Sequence, residues 1–150
     1  MKQIIFFLLI GILLLVSSAC KDPIAQIIPP IPEIELLNTT PTNVIEYQDE
    51  IVFTIEYTDG DGDLGTNDDT RRNVFIKDSR IDNIHEFRLQ QLAPDGAEVP
   101  ITGTFELTLP YTILTAGTTQ ETVSFEIHVV DEAGNESNVV TSPEIQINPQ

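Results

Sequence analysis

The chain has 150 residues, with 24 acidic side chains against 7 lysines and arginines, one cysteine and no tryptophan. A net charge of −17 excludes nucleic acid as a partner, because its recognition needs clustered lysine and arginine. A lone cysteine excludes an internal disulfide, and the length allows one domain.

The chain opens with "MKQIIFFLLIGILLLVSSAC". Lys2, an apolar run from Ile4 to Val16 and the small residues Ser17, Ser18 and Ala19 make the three-part layout of a secretory signal peptide over residues 1–19. The apolar run is shorter than the about 20 residues that a membrane-spanning helix needs. Cys20 follows directly. "VSSAC" resembles the lipobox of bacterial lipoproteins, with Ser17 where leucine is favoured. The resemblance implies that Cys20 is acylated (palmitate among the chains) and heads the mature protein. Several acyl chains are what stable attachment to a membrane requires. In "CKDP" Lys21 stands where the inner-membrane retention aspartate would, and Lys21 followed by Asp22 resembles part of a surface-export signal. That points to the outer membrane of a Gram-negative bacterium, facing the surface or the periplasm.

Residues 20–32 read as a tether. Pro23, Pro29, Pro30 and Pro32 fix φ and remove amide donors, giving an extended spacer that can hold a domain ~40 Å from the bilayer.

From Glu33 to Gln150 the pattern is strand and turn. "EIVFTIEY" (Glu50–Tyr57) sets Ile51, Phe53, Ile55 and Tyr57 on one face, and "ETVSFEIHVV" (Glu121–Val130) does the same with Val123, Phe125, Ile127 and Val129. "TFELTLP" (Thr104–Pro110) puts Phe105, Leu107 and Leu109 together. Such alternation predicts half-buried strands. Shorter strands are expected at Glu33–Leu37, Asn73–Lys77, Glu86–Leu92 and Pro143–Ile147. About seven short strands separated by turns predict an all-β, antiparallel, immunoglobulin-like β-sandwich. "VVDEAGNESNVVTSPEIQI" resembles the last two strands and connecting loop of bacterial immunoglobulin-like and cadherin-like domains, with Asp131 to Asn135 as the turn. With no tryptophan and no disulfide, Phe53, Phe105 and Phe125 are expected to fill the core.

Directly after the Glu50–Tyr57 strand stands "TDGDGDLGTNDD". Hard cations such as calcium take six to eight oxygen ligands, and Asp-Gly-Asp-Gly-Asp lets a tight loop turn Asp59, Asp61 and Asp63 inward. An EF-hand is excluded: Leu64 occupies its glycine position, Thr70 stands where its last glutamate belongs, and no helices flank the loop. In the expected sandwich this loop and the Asp131–Asn135 loop share one end. Asp131 is therefore the expected cross-loop ligand of a calcium ion, with Asn67, Asp68, Asp69 and Asn135 in reserve, and the start of the first strand at Glu33 lies nearby. A solvated acidic turn is the alternative, since glycine and aspartate are also common turn formers. Arg71 and Arg72 are expected to pair with Asp68 and Asp69.

No nucleophile, base or phosphate-binding motif is present, and neither His85 nor His128 has one around it. The expected protein is a lipid-anchored, calcium-stabilised binding or structural module and not an enzyme. Its alternatives are a glycan-capture lipoprotein, for which only Tyr47 and Tyr111 remain as exposed aromatics, and a cell-surface hydrolase. A protein or a glycan at the cell surface is the expected partner.

Overall fold

The computed structural model describes residues 28–94 and 96–150. The expected signal peptide, Cys20 and most of the tether lie outside the described residues. Among those described, the fold is all-β, and no helix is long and apolar enough to cross a membrane.

Ten strands form three sheets. In the first, β3 (Ile51–Asp59) lies between β1 (Glu33–Thr40) and β6 (Ile101–Leu109), antiparallel to both. Glu33 pairs with Thr58 and Ile101 with Asp59 at one end of this sheet; Thr40 pairs with Val52 and Leu109 with Ile51 at the other. The register of β1 slips between Leu36 and Asn38, a bulge that leaves Leu37 exposed. The second sheet has the order β5 (Ile84–Phe87), β4 (Val74–Asp78), β8 (Phe125–Val129), β9 (Val140–Thr141). In the third, β10 (Ile145–Asn148) lies between β2 (Asn43–Ile45), to which it is parallel, and β7 (Glu121–Val123), to which it is antiparallel.

The alternation in the sequence sets what is buried. Ile51, Phe53, Ile55 and Tyr57 of β3 and Val123, Phe125, Ile127 and Val129 of β7 and β8 all enter one hydrophobic cluster, which draws on all three sheets. Phe53 and Phe125 meet edge to face with centroids 5.8 Å apart. Full burial of side chains of this kind contributes about 1.5–3 kcal/mol each. Phe105 is only partly buried and leans on Tyr57.

Three departures from the expected strands have local causes. The expected strand Glu121–Val130 is split, because Ser124 turns its backbone to Ser79: its carbonyl accepts from Ser79 N (3.1 Å) and its N–H donates to Ser79 Oγ (3.2 Å). The expected strand Glu86–Leu92 ends at Phe87 and begins at Ile84. Its remaining backbone is used elsewhere: Leu89 N donates to Asn73 Oδ1 (2.7 Å), Leu89 O accepts from Thr66 N (2.9 Å), and Leu92 N donates to Leu64 O (3.4 Å). The short strands β2 and β9 were not foreseen. Together these raise the expected seven strands to ten.

Candidate metal centre

Asp59 is the last residue of β3 and is fully buried. The chain then reverses through Gly60 to Gly65 and drives Leu64 into the core. Leu64 N donates to Asp59 Oδ2 (3.0 Å), so the residue that breaks the EF-hand pattern both plugs the core and orients the first aspartate. Gly62 (φ 79°) and Gly65 (φ 96°) adopt left-handed backbone, which favours glycine. A Cβ on Gly60 would collide with the backbone carbonyls of Ile28 and Pro29. Ile28 and Pro29 therefore lie directly against the acidic loop.

Asp59, Asp61 and Asp63 each turn an oxygen to a common point, all within 4.8 Å of one another. Two oxygens held at 2.3–2.6 Å from a single calcium ion stand at most about 4.6–5.2 Å apart, so this spacing suits a shared ion. Asp59 Oδ1, Asp61 Oδ1 and Asp63 Oδ1 are buried and accept no hydrogen bond. Buried polar atoms are nearly always satisfied, and an unsatisfied charged one is costly. Three such atoms in one cluster are a donor set that can hold a cation.

The electrostatics agree. Burial pushes the Asp59 carboxyl above its ordinary range, Leu64 N–H opposes this, and Asp61 and Asp131 push it further. Asp63 is raised to about 6, first by burial and then by Asp131, Asp61 and Asp59, with Ala133 N–H opposing.

Asp131 comes to the same end of the molecule. It is buried, and near enough to Asp59 and Asp63 to raise both carboxyls. Its own oxygens are engaged: Oδ1 accepts from Asn135 N (2.7 Å) and Oδ2 from Asn135 Nδ2 (2.8 Å). Asn135 is thus the partner of Asp131. The two loops are also joined directly, since Ala133 N donates to Asp63 Oδ2 (3.0 Å) and Glu132 N to Asp63 O (3.2 Å). Asn138 adds a clasp, with Oδ1 accepting from Ile34 N and Nδ2 donating to Ile34 O, both 2.8 Å.

The remaining reserve residues lie on the outer side. Asn67 is exposed and donates to Gln91. Asp68 caps Thr70 by accepting from its N–H and hydroxyl, and Asp69 is exposed. None of the three belongs to the converging group. The expected pairing of Arg71 and Arg72 with Asp68 and Asp69 does not form: Arg72 donates to the carbonyls of Asp69 and Arg71. Among the described residues the ion pairs belong instead to Arg80, which holds Asp78 (2.7 Å) and Glu121 (2.6 Å). His128 stacks on Phe75 with centroids 4.9 Å apart, and His85 contacts Asn83.

No family model matches the chain, and no curated protein does. One solved structure, a Northeast Structural Genomics Consortium target, SoR45, is similar over 78% of this chain and 83% of its own, at 13% identity and a TM-score of 0.30. A likeness of that size carries no argument about fold or function.

Proposed function

We propose that this protein is a lipid-anchored immunoglobulin-like β-sandwich of the outer membrane, stabilised by calcium, which acts by binding or support and not by catalysis. The observation that carries the calcium reading is the trio of buried, unpartnered oxygens on Asp59, Asp61 and Asp63. A solvated turn would leave those atoms in water. Bound calcium supplies the positive charge that the three carboxylates lack.

What supports the sandwich reading is strand order. β7 and β8 are successive parts of one run, as are β9 and β10, so we read the second and third sheets as one face and β1, β3 and β6 as the other. The parallel β2–β10 pair fits a first strand that switches between faces. In mechanism, the ion ties the loop after β3 to its neighbours. Because the carbonyls of Ile28 and Pro29 abut Gly60, it also stiffens the junction between tether and domain and sets the angle to the membrane.

The test is calcium titration of the full chain by calorimetry and thermal melting, beside Asp61→Ala. Calcium should raise the melting temperature of the parent and leave that of the variant unchanged, with the β-rich circular dichroism intact in both. A full response to calcium in Asp61→Ala would place the ion elsewhere.

A further inference from the structure

The register defines two poles. The tether, the aspartate trio and the Asp131 loop occupy the pole where Glu33 meets Thr58. At the other, where Leu109 meets Ile51, stand the two tyrosines left outside the core. The nine residues of β3 separate the poles by about 30 Å at 3.2–3.4 Å per residue.

Tyr47 and Tyr111 are 60% and 48% exposed, yet their rings lie 6.0 Å apart at 34°. Their backbones are fixed. Tyr47 has φ 58°, a left-handed conformation costly for a bulky side chain. Its N–H donates to Thr112 O (3.1 Å), while Gln48 N and Asp49 N fold back to Ile45 O. Two exposed aromatic rings held by a strained, hydrogen-bonded turn form a preorganised surface, which lowers the ordering cost of binding.

Beside them lies a hollow of about 190 Å³ lined by Tyr111, Ile81, Asn83, His85, Thr112, Ile113 and Asp78. Pockets for drug-sized ligands begin near 300 Å³, so this one suits a single small ring. Its lining mixes an aromatic wall, an aliphatic side chain, an amide, an imidazole and a hydroxyl. The charge beside it is already matched: Arg80 holds both oxygens of Asp78 and reaches Glu121. A charged ligand therefore finds no unpaired partner here, and the net charge of −17 repels an anionic one. The exposed apolar residues here, Tyr47, Tyr111, Ile81 and Ile84, are few beside the about 20–30 residues a side that a standard protein interface uses.

We propose that this pole binds a neutral oligosaccharide, with one sugar ring in the hollow and the next against the tyrosine pair. The apolar C–H face of a pyranose complements the negative face of an aromatic ring, and its hydroxyls suit the amide, imidazole and hydroxyl groups. The reading is independent of the metal at the opposite pole. It gives the anchored domain a ligand face directed away from the tether.

The test is titration of the full chain with maltohexaose, cellohexaose, laminarihexaose and mannohexaose, and with a polygalacturonate oligomer as the anionic probe. With three tyrosines and no tryptophan, tyrosine emission reports the site directly. At least one neutral oligomer should give a saturable change, and Tyr47→Ala and Tyr111→Ala should each weaken it about tenfold or more. Val99→Ala, exposed near the acidic loop, should leave it unchanged, and circular dichroism with melting confirms that each variant folds. The proposal fails if no neutral oligomer binds at millimolar concentration, if binding survives both tyrosine substitutions, or if only the anionic oligomer binds.

Discussion

The Asp63 carboxylate accepts a 3.0 Å hydrogen bond from the backbone of Ala133, joining loops that are distant in the chain. Asparagine at position 63 can keep that bond through its amide oxygen while removing the charge. Asp63→Asn should raise the metal-free melting temperature at pH 7 by about 2 °C or more, because it relieves repulsion among buried carboxylates. It should also weaken calcium binding about tenfold or more, since affinity follows ligand charge. Calorimetry and melting on the same samples check both signs.

The metal-free protein should be most stable near pH 4. Asp63, raised from 3.8 to about 6, and Asp59, also raised, bind protons more tightly folded than unfolded. Stability is therefore lost as pH rises through about 4 to 6. Glu121 works the other way. Hydrogen bonds from Thr115 hold it down at about 2 from an ordinary 4.5, so its contribution is present above 4.5 and lost as pH falls towards 2. Saturating calcium should abolish the decline on the neutral side. A flat metal-free profile between pH 4 and 7 would contradict the burial of the acidic trio.

Gly60→Ala should detach the segment that begins at Ile28 from the loop. The added methyl meets backbone carbonyls of Ile28 and Pro29, which cannot rotate away as a side chain can. Faster amide exchange at Ile28 and Ile31, the residues of 28–32 that keep an N–H, with β4 and β8 unchanged, is the expected pattern.

Arg80→Met should destabilise the fold by about 3 kcal/mol, because it strands the Asp78 carboxylate, whose side chain is only 4% exposed. Adding Asp78→Asn should recover part of the loss. Urea denaturation of the two single variants and the double one gives the coupling directly.

The long strands were legible because β3 and β8 alternate strictly and bury what the alternation marks. β2 and β9, with three and two residues, are too short to show a period. The segment after Phe87 looked like a strand, yet its amides and carbonyls brace Thr66, Asn73 and Leu64; such long-range backbone use leaves no trace in hydropathy. At the candidate site, the Asp-Gly spacing pointed to the converging trio. What the sequence hid was the supporting cast: Leu64 beneath Asp59, Ala133 beside Asp63, and Asn135 engaging both oxygens of Asp131. In those roles Leu64 and Ala133 act through their main-chain N–H groups, for which residue identity is a poor guide. The joining of Tyr47 to Tyr111 was hidden for a related reason, since it depends on how two separate turns meet.

The parallel pairing of β10 with β2 has a consequence for biosynthesis. Ile145 and Ile147 are fully buried, and their strand is the middle one of its sheet. Until residue 148 has been synthesised and released, Asn43–Ile45 and Glu121–Val123 have no neighbour to pair with. The third sheet therefore closes only after Ile145–Asn148 has been made, and a chain truncated before Ile145 would leave both flanking strands without their shared keystone.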